Sequence, residues 1–323
     1  MNNKVCFGCG VKLQNTDSNK KGYTPKIDAS YCMRCFRMIH YGENAIVDTP
    51  KEVKEIINKI NKDDKFVLFL CDFLNINNDV IKIFKSIKCK KMMIINKCEL
   101  MPKTINKNTF ASYIKDNYKI KDEVKLKGGT KNHGAKSILE YLTSHNIKSA
   151  YVLGISNSGK STLINDLMDL CGTNKNKIAV NRRANTTLDF LRVKLNEQLT
   201  IIDSPGFIIK NSLDVDAYNK GITAYSFNIK AGDTLSLIDN KYYVKFDSDT
   251  KIVFYTNVEA NKVVKKYYRA AEGLKYFLDI NNYEDLVITG LGYMYIKNEC
   301  KISTNIPLNY LETRSSMFGG PNE

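Results

Sequence analysis

The stretch Gly154-Ile-Ser-Asn-Ser-Gly-Lys-Ser161 fits the pattern G-x-x-x-x-G-K-[ST] at every fixed position. In this pattern the glycines let backbone N–H groups curl around phosphate oxygens, and the lysine supplies a cation to the β- and γ-phosphates. An apolar strand is predicted at residues 150–153 and an amphipathic helix from Lys160 onward. The helix N-terminus then faces the bound anion, which supports a phosphate-binding loop over a chance Gly-rich turn.

Phosphate contacts are predicted from the loop and the first helical turn, at Gly154, Asn157, Ser158, Gly159, Lys160, Ser161 and Thr162. The hydroxyl of Ser161 is also a predicted ligand of Mg²⁺. The candidate catalytic residues are Lys160, Asn157 and Gly206. These assignments describe a nucleoside triphosphate site in an α/β domain.

A second motif, Asp203-Ser-Pro-Gly206, follows a predicted strand at residues 199–202. We expect Asp203 to hold Mg²⁺ through water and the Gly206 N–H to sense the γ-phosphate. Alone this motif is also found in ordinary turns. Downstream of a phosphate loop it strongly indicates the turn that binds Mg²⁺ and the γ-phosphate. Between the two motifs, Thr186 or Thr187 is expected to complete the Mg²⁺ coordination shell. The sequence does not distinguish between the two threonines.

A third motif, Asn96-Lys97-Cys98-Glu99, follows a predicted strand at residues 91–95. In GTPases an Asn-Lys-x-acid element reads guanine, because its carboxylate accepts from N1–H and the exocyclic amine. Glu99 stands where Asp is usual, which leaves an ATPase of similar design open. A surface turn after a core strand is the structural alternative.

The order of these motifs is unusual, because the base-reading element precedes the phosphate loop. A second base-supporting loop bearing Ser-Ala is expected near residues 126–130, where Lys127-Gly128-Gly129 stands instead. No residue is assigned that role.

This constellation resembles the circularly permuted GTPases of ribosome assembly, and among them the YqeH family. The resemblance rests on the motif order, the N-terminal Cys-x-x-Cys pairs and the β-rich tail, and includes an apolar strand ending at Asp72. It implies GTP-dependent maturation of the small ribosomal subunit. The expected fold is an α/β P-loop GTPase domain with permuted motifs, a small zinc module and a β-rich C-terminal domain.

Slow intrinsic hydrolysis is expected, because Phe207 stands where many GTPases carry a water-orienting Gln. Asn157 occupies the position at which potassium-stimulated GTPases carry an Asn that helps to bind K⁺. A monovalent cation there would stabilise the developing charge. Alternatively, Asn157 is a polar loop residue that bonds its own backbone.

Two Cys-x-x-Cys pairs near the N-terminus predict a metal site formed by Cys6, Cys9, Cys32 and Cys35. Two-residue spacing lets both thiolates of a pair reach one tetrahedral Zn²⁺, and four cysteines leave no open position. We therefore expect a structural zinc that supplies the folding energy of a short segment. An iron–sulfur centre and free thiols remain alternatives, and the other five cysteines are interpreted as packing residues.

The net charge of +15 favours nucleic acid or an anionic surface as a partner, although abundant Lys, Asn and Ile also fit biased composition. The longest apolar run, at residues 66–71, has the length of a core strand rather than a membrane span. The start Met1-Asn2-Asn3-Lys4 lacks the apolar core of a secretion signal. We expect a cytoplasmic protein without a membrane partner.

The sequence suggests a division into a four-cysteine zinc-binding module at residues 1–47, a GTPase domain at 48–212 and a β-rich domain at 213–323. In the last of these, 262–269 interleaves basic residues with Tyr267 and Tyr268, and 290–295 is a Gly-aromatic strand. Such patterns slightly favour RNA contact, and the alternative is a solvated basic face over a β core in which the Tyr side chains pack. The final residues from Thr313 onward are expected to form a flexible arm.

The combined prediction is a zinc-bearing, circularly permuted GTPase that switches a ribosome-assembly step and contacts a ribosomal subunit or rRNA. One alternative is a nucleotide-gated RNA-binding protein with incidental hydrolysis. An ATPase of similar design is another. A GTPase of membrane surfaces ranks last, since the sequence contains no basic amphipathic helix or lipidation motif.

Overall fold

The computed structural model describes residues 4–6, 11–17, 20, 22–26, 29–33, 46–47, 50–101, 106–128, 134–156, 158–172, 190–207, 213, 218–258, 263–267 and 273–317. The chain divides into two units. Unit 1 contains Met1–Asp72, Ile83–Cys98 and Asp122–Ile208, and unit 2 contains Phe73–Lys82, Glu99–Lys121 and Ile209–Glu323. The division predicted from the sequence, at residues 1–47, 48–212 and 213–323, stays a prediction.

Unit 1 is built around a six-stranded sheet with the order β4-β3-β2-β5-β7-β6. Its strands are β2 (Phe66–Asp72), β3 (Lys91–Asn96), β4 (Glu123–Leu126), β5 (Ser149–Gly154), β6 (Leu191–Lys194) and β7 (Thr200–Asp203). All neighbouring strands are parallel except β6 and β7. The central strand β2 is apolar and almost wholly buried, as expected for a parallel strand covered on both faces.

Among the described residues of unit 1, three helices lie wholly within the unit: α1 (Pro50–Asp63), α4 (Ala135–Ser144) and α5 (Lys160–Leu170). Leu163 and Leu167 of α5 share one buried cluster with Ile138 and Leu142 of α4 and with strand residues of the sheet. The helical spacing of these residues gives α5 its buried face. A short parallel pair, β1 (Ile46–Val47) with β8 (Gly206–Phe207), completes the strands of the unit.

The central strands and the helix after the phosphate loop confirm the interpretation of the sequence. Predicted strands at 66–71, 91–95, 150–153 and 199–202 correspond to β2, β3, β5 and β7, each within one residue of the observed bounds. The helix begins at Lys160, as predicted. These segments were predictable because a continuous apolar run and a 3.6-residue period each have few alternatives.

Unit 2 holds two five-stranded antiparallel sheets, with the orders β13-β10-β11-β17-β14 and β18-β15-β16-β12-β9. Their strands are β9 (Tyr218–Ile229), β10 (Thr234–Leu237), β11 (Tyr242–Phe246), β12 (Thr250–Val258), β13 (Val263–Tyr267), β14 (Tyr276–Ile280), β15 (Glu284–Ile288), β16 (Gly292–Ile296), β17 (Cys300–Thr304) and β18 (Leu311–Ser315). Apolar residues from both sheets form one buried cluster, including Val244, Phe246, Phe254 and Met294. The predicted β-rich region is therefore a two-sheet packing.

Unit 2 also contains α3 (Lys107–Asn117) and the first part of α2 (Asn78–Ser86). No helix in the described part of the chain is both long and apolar enough to span a bilayer.

The expectation of a flexible arm from Thr313 onward is wrong for the residues that the structure describes there. β18 pairs along its length with β15, and Arg314 is buried. Its guanidinium lies 3.4 Å from Asp285 Oδ2, donates to Tyr118 Oη at 2.9 Å and donates to the Ile76 carbonyl. The sequence Thr-Arg-Ser-Ser carries no apolar signal, because this strand is held by charge and hydrogen bonding. Residues 318–323 lie outside the described residues.

The suggested RNA-stacking role of the strand at 290–295 is also wrong for Tyr293. This side chain is fully buried, and its ring stacks on Tyr255 with centroids 5.1 Å apart. Phe73 approaches the Tyr293 ring edge-on at 5.5 Å. Tyr293 is therefore a core residue, and a Gly-aromatic strand pattern did not distinguish core packing from base stacking.

Candidate nucleotide-binding site

The sequence-predicted motifs of unit 1 meet at one edge of its sheet. Asn96 ends β3 and is paired in register with Asp72 at the end of β2. Gly154 ends β5 opposite Leu70 of β2, and Asp203 ends β7 opposite Val152 of β5. These are the carboxyl ends of parallel strands, which is where α/β sheets bind ligands.

Two glycines of the phosphate loop are required by close contacts. A Cβ on Gly154 would lie 2.2 Å from the carbonyl oxygen of Leu70. Gly159 has the left-handed φ of 93°, and a Cβ there would lie 2.1 Å from Asn96 Nδ2. The loop therefore packs directly against β2 and against the base-reading element, and larger residues would separate them.

Asn96 connects the base-reading element to the phosphate loop. Its Nδ2 donates to the carbonyl oxygen of Ser158 at 2.8 Å, in a buried setting. Lys97 has a positive φ of 62°, and its ammonium lies 3.4 Å from the carboxylate of Asp72. Glu99 is exposed in the short 3₁₀ turn Cys98–Leu100. The Asn side chain is thus fixed, and the acid that follows it is accessible.

Lys160 and Asp203 form the charged centre of the site. Lys160 is buried, and its ammonium donates to the carbonyl oxygens of Gly154 at 3.2 Å and Ile155 at 3.3 Å. Burial lowers the pKa of Lys160, and the nearby Asp203 carboxylate opposes that change. Burial raises the pKa of Asp203 to about 7, and Lys160 opposes that rise. Both groups lack the water that normally stabilises their charged forms.

The residues after Asp203 pack closely against the phosphate loop. A Cβ on Gly206 would lie 2.9 Å from Lys160 Nζ. The backbone N–H of Ser156 donates to the Phe207 carbonyl at 2.8 Å. The Phe207 ring is wholly buried, with its centroid 6.1 Å from that of Phe69. Phe207 is therefore a packing residue, and its side chain offers no polar atom to a water molecule.

Sequence reasoning missed a buried ion pair beside the base-reading element. Lys127 Nζ lies 2.9 Å from Asp166 Oδ2, and their side chains are only 8% and 10% exposed. Asp166 belongs to α5, the helix that starts at the phosphate loop. The only sequence signal was that Lys127 occupies the region in which a second base-supporting loop was expected.

The two described cysteines of the predicted metal site lie together. Cys6 and Cys32 are buried in one small cluster with Leu13, and the Cys32 N–H donates to Cys6 Sγ at 3.1 Å. Cys9 and Cys35 lie outside the described residues, as do Asn157, Thr186 and Thr187. No cluster of three or more metal-ligating side chains occurs within the described ranges.

Comparisons with known proteins agree with this geometry. The family model described as "50S ribosome-binding GTPase" matches residues 149–267. The chain is also similar to YqeH of Bacillus subtilis (strain 168), with 27% identity over 220 residues. That alignment covers 64% of this chain and 60% of YqeH, so the chain spans less than two thirds of that relative.

A phosphate loop at the head of a helix and an Asp-x-x-Gly turn beside it both lie within the region that matches a GTPase model. The chain therefore contains a region of the P-loop GTPase type, at residues 149–267.

The close approach of Gly159 to Asn96 leads to a test of the site. Gly159→Ala is expected to weaken GDP binding at least about tenfold, about 1.4 kcal/mol, because the added carbon would displace Asn96. Titration with fluorescent GDP measures the loss.

Gly172→Ala is the matched control, because Gly172 also has a positive φ, of 63°, but nothing lies within 4 Å of an added Cβ. Both variants should lose roughly 1 kcal/mol of stability from the left-handed backbone. Equal GDP affinities for the two variants would contradict the role given to this contact.

Proposed function

We propose that this chain binds GTP, hydrolyses it to GDP and uses the change of nucleotide as a switch in ribosome assembly. The observation that carries the proposal is the hydrogen bond from Asn96 Nδ2 to the Ser158 carbonyl. This bond joins the Asn-Lys-x-acid motif to the phosphate loop. A single nucleotide needs such a connection, because its base and its phosphates must be bound at the same time. Residues 154–162 are proposed to bind the phosphates. Asn96, Lys97 and Glu99 are proposed to bind the guanine base.

The GTPase domain, proposed at residues 48–212, is inferred to be circularly permuted. In support, Asn96 precedes the phosphate loop in the chain, and the matched GTPase region starts only at residue 149. Asn96 nevertheless adjoins the loop in space, through the parallel strands β3, β2 and β5. In this chain order the segment after Gly206 leads directly into the C-terminal β-rich region, proposed as the domain at 213–323.

Mg²⁺ is proposed to bind at Ser161, Thr187 and Asp203, where it would offset phosphate charge. Among the described residues, Asp203 Oδ1 is buried without a hydrogen-bond partner. An orphaned carboxylate oxygen beside a phosphate loop fits a hard cation, which would also favour the ionised carboxylate. Asp203 would help to hold the metal, and Lys160, whose ammonium now donates to two loop carbonyls, would supply a cation to the phosphates.

Hydrolysis is proposed to be slow in the isolated protein. The buried ring of Phe207 holds the Asp-x-x-Gly turn against the sheet and cannot orient water. K⁺ bound with help from Asn157 is proposed to stabilise charge between the β- and γ-phosphates. Lys160 and the Gly206 N–H are proposed to stabilise the γ-phosphate.

The switch is proposed to act through the turn that contains Gly206. In support, Gly206 and Phe207 pair with Ile46 and Val47, the last two residues of the proposed N-terminal module at 1–47. A γ-phosphate contact to the Gly206 N–H, together with Thr186 or Thr187, would compete with this short pairing. Nucleotide state would thereby reach both the N-terminal module and the segment leading to the C-terminal domain.

The cysteine-rich segment at residues 1–47 is proposed to hold one structural Zn²⁺ through Cys6, Cys9, Cys32 and Cys35. In support, one cysteine of each pair is buried in the same cluster, and Cys6 Sγ accepts a backbone hydrogen bond. Backbone N–H donors stabilise thiolate charge, as a four-cysteine zinc site requires.

The proposed partner is a ribosomal subunit or rRNA in the cytoplasm. The net charge of +15 suits a polyanion, and the YqeH resemblance points to the small subunit. The matched family is named for binding the 50S, or large, subunit, so the test below includes both subunits. In the C-terminal domain, Phe277 is 73% exposed and is better disposed to meet RNA than the buried Tyr293.

GTP turnover tests the proposed enzyme. The purified chain should hydrolyse GTP slowly, faster in KCl than in NaCl, and faster again when small ribosomal subunits are added. Lys160→Met should abolish turnover under every condition, because it removes the cation at the phosphates.

The pattern of rates decides among the alternatives. Equal rates in KCl and NaCl would remove the proposed K⁺ site, and stimulation by large subunits alone would change the partner. Tight GTP binding without any turnover, even with subunits and K⁺, would contradict the enzyme proposal and favour a nucleotide-gated RNA-binding protein.

Metal analysis tests the cysteine module. The chain should carry about one Zn²⁺ per molecule, as a closed four-cysteine site holds one ion. Cys6→Ser should lose it, whereas Cys171→Ser, at a half-buried cysteine that follows the end of α5, should keep it. Retention of zinc by Cys6→Ser would contradict the site, and iron with sulfide would indicate a cluster instead.

A further inference from the structure

Lys127 connects the parts of unit 1 that a nucleotide must contact together. Its backbone N–H donates to the Ile95 carbonyl at 2.8 Å, and its own carbonyl accepts from the Cys98 N–H at 3.1 Å. Asn96 and Lys97 lie between those two partners in the chain. The backbone of Lys127 therefore holds both ends of the base-reading turn.

The side chain of Lys127 extends the same connection to the phosphate loop's helix. Lys127 Nζ lies 2.9 Å from the Asp166 carboxylate in the middle of α5. The backbone at Lys127 is also confined from the α4 side, since a Cβ on Gly134 would lie 3.0 Å from Lys127 Cα. The turn is thus linked to the phosphate loop through Asn96 and Ser158, and to the helix that follows the loop through Lys127 and Asp166.

We propose that Lys127 and Asp166 are positioning residues that fix the base-reading turn against the phosphate-loop helix and thereby set the preference for guanine. This inference rests on the proposed binding of guanine nucleotides. A buried ion pair often contributes little net stability compared with apolar side chains of similar volume, and in some proteins buried ionic groups fix one arrangement of the elements that carry them. The pair therefore fits a positional role better than a purely stabilising one.

Because residue 99 is Glu rather than Asp, the placement of the base-reading turn matters for guanine binding. Glu carries one methylene more than the Asp usual at this place, so its carboxylate meets the N1–H and amine of guanine only for a particular setting of the turn. Lys127 stands where a Ser-Ala loop is the more common support.

The test measures competition by GDP, ADP and inorganic pyrophosphate against fluorescent GDP in the full chain. Lys127→Met should weaken GDP binding at least about tenfold while ADP and pyrophosphate change less than about twofold. Lys127→Arg, which keeps the cation, should retain most of the preference. Asp166→Glu, which lengthens the partner, should show an intermediate loss and serves if Lys127→Met does not fold.

Lys91→Met is the matched control. Lys91 begins β3, the strand that leads into the base-reading turn, and therefore lies at the end of the strand away from the site. Its side chain is 9% exposed and lies 3.9 Å from Asp122. Loss of a buried ammonium there should lower the stability of the fold without changing the ratio of the affinities for GDP and ADP. The double variant Lys127→Met with Asp166→Leu should recover stability but not the guanine preference.

The outcomes separate this inference from the function on which it rests. If the wild-type chain prefers GDP and Lys127→Met has the same ratio of GDP to ADP affinity, the positioning role alone is overturned. Equal losses for GDP, ADP and pyrophosphate also overturn it, since they indicate general destabilisation. A wild-type chain without preference for GDP overturns the proposed guanine function and this inference with it.

Discussion

The hydrogen bond from Asn96 Nδ2 to the Ser158 carbonyl is the contact on which the proposed site depends. It requires that β3 and β5 end at the same edge of the sheet, with only β2 between them. It also requires a glycine at position 159, where a Cβ would overlap the Asn96 amide. A distance of 2.8 Å in a buried setting leaves little freedom for either element.

The charged centre of the site is shaped by the same close packing. Lys160 lies against the carbonyls of its own loop, and Asp203 is buried with one unpartnered oxygen among the described residues. Burying charges without full compensation is costly, which fits the proposed binding of an anion and a cation at this site. The free energy of binding a nucleotide with its metal would offset this cost, which links the stability of the site to its occupancy.

Local patterns made the phosphate loop, its helix and the buried strands predictable from the sequence. Interactions between distant residues were not predictable in the same way. The Lys127–Asp166 pair joins the end of β4 to α5, and no local period indicates it. Arg314 is another case, because a polar tail sequence proved to be a strand held by Asp285 and Tyr118. Tyr293 is a further case, because the Gly-aromatic strand pattern fitted both RNA contact and core packing, and the side chain is buried in the core.

Competition between GDP and ADP for the wild-type chain tests the central claim most directly, because only the base distinguishes the two ligands. In KCl buffer, GDP should displace fluorescent GDP at least about a hundredfold better than ADP, about 2.7 kcal/mol of preference. That result would show that Glu99 and the turn held by Asn96 read guanine. Equal competition would contradict the account of the base-reading element and leave a phosphate loop without guanine selectivity.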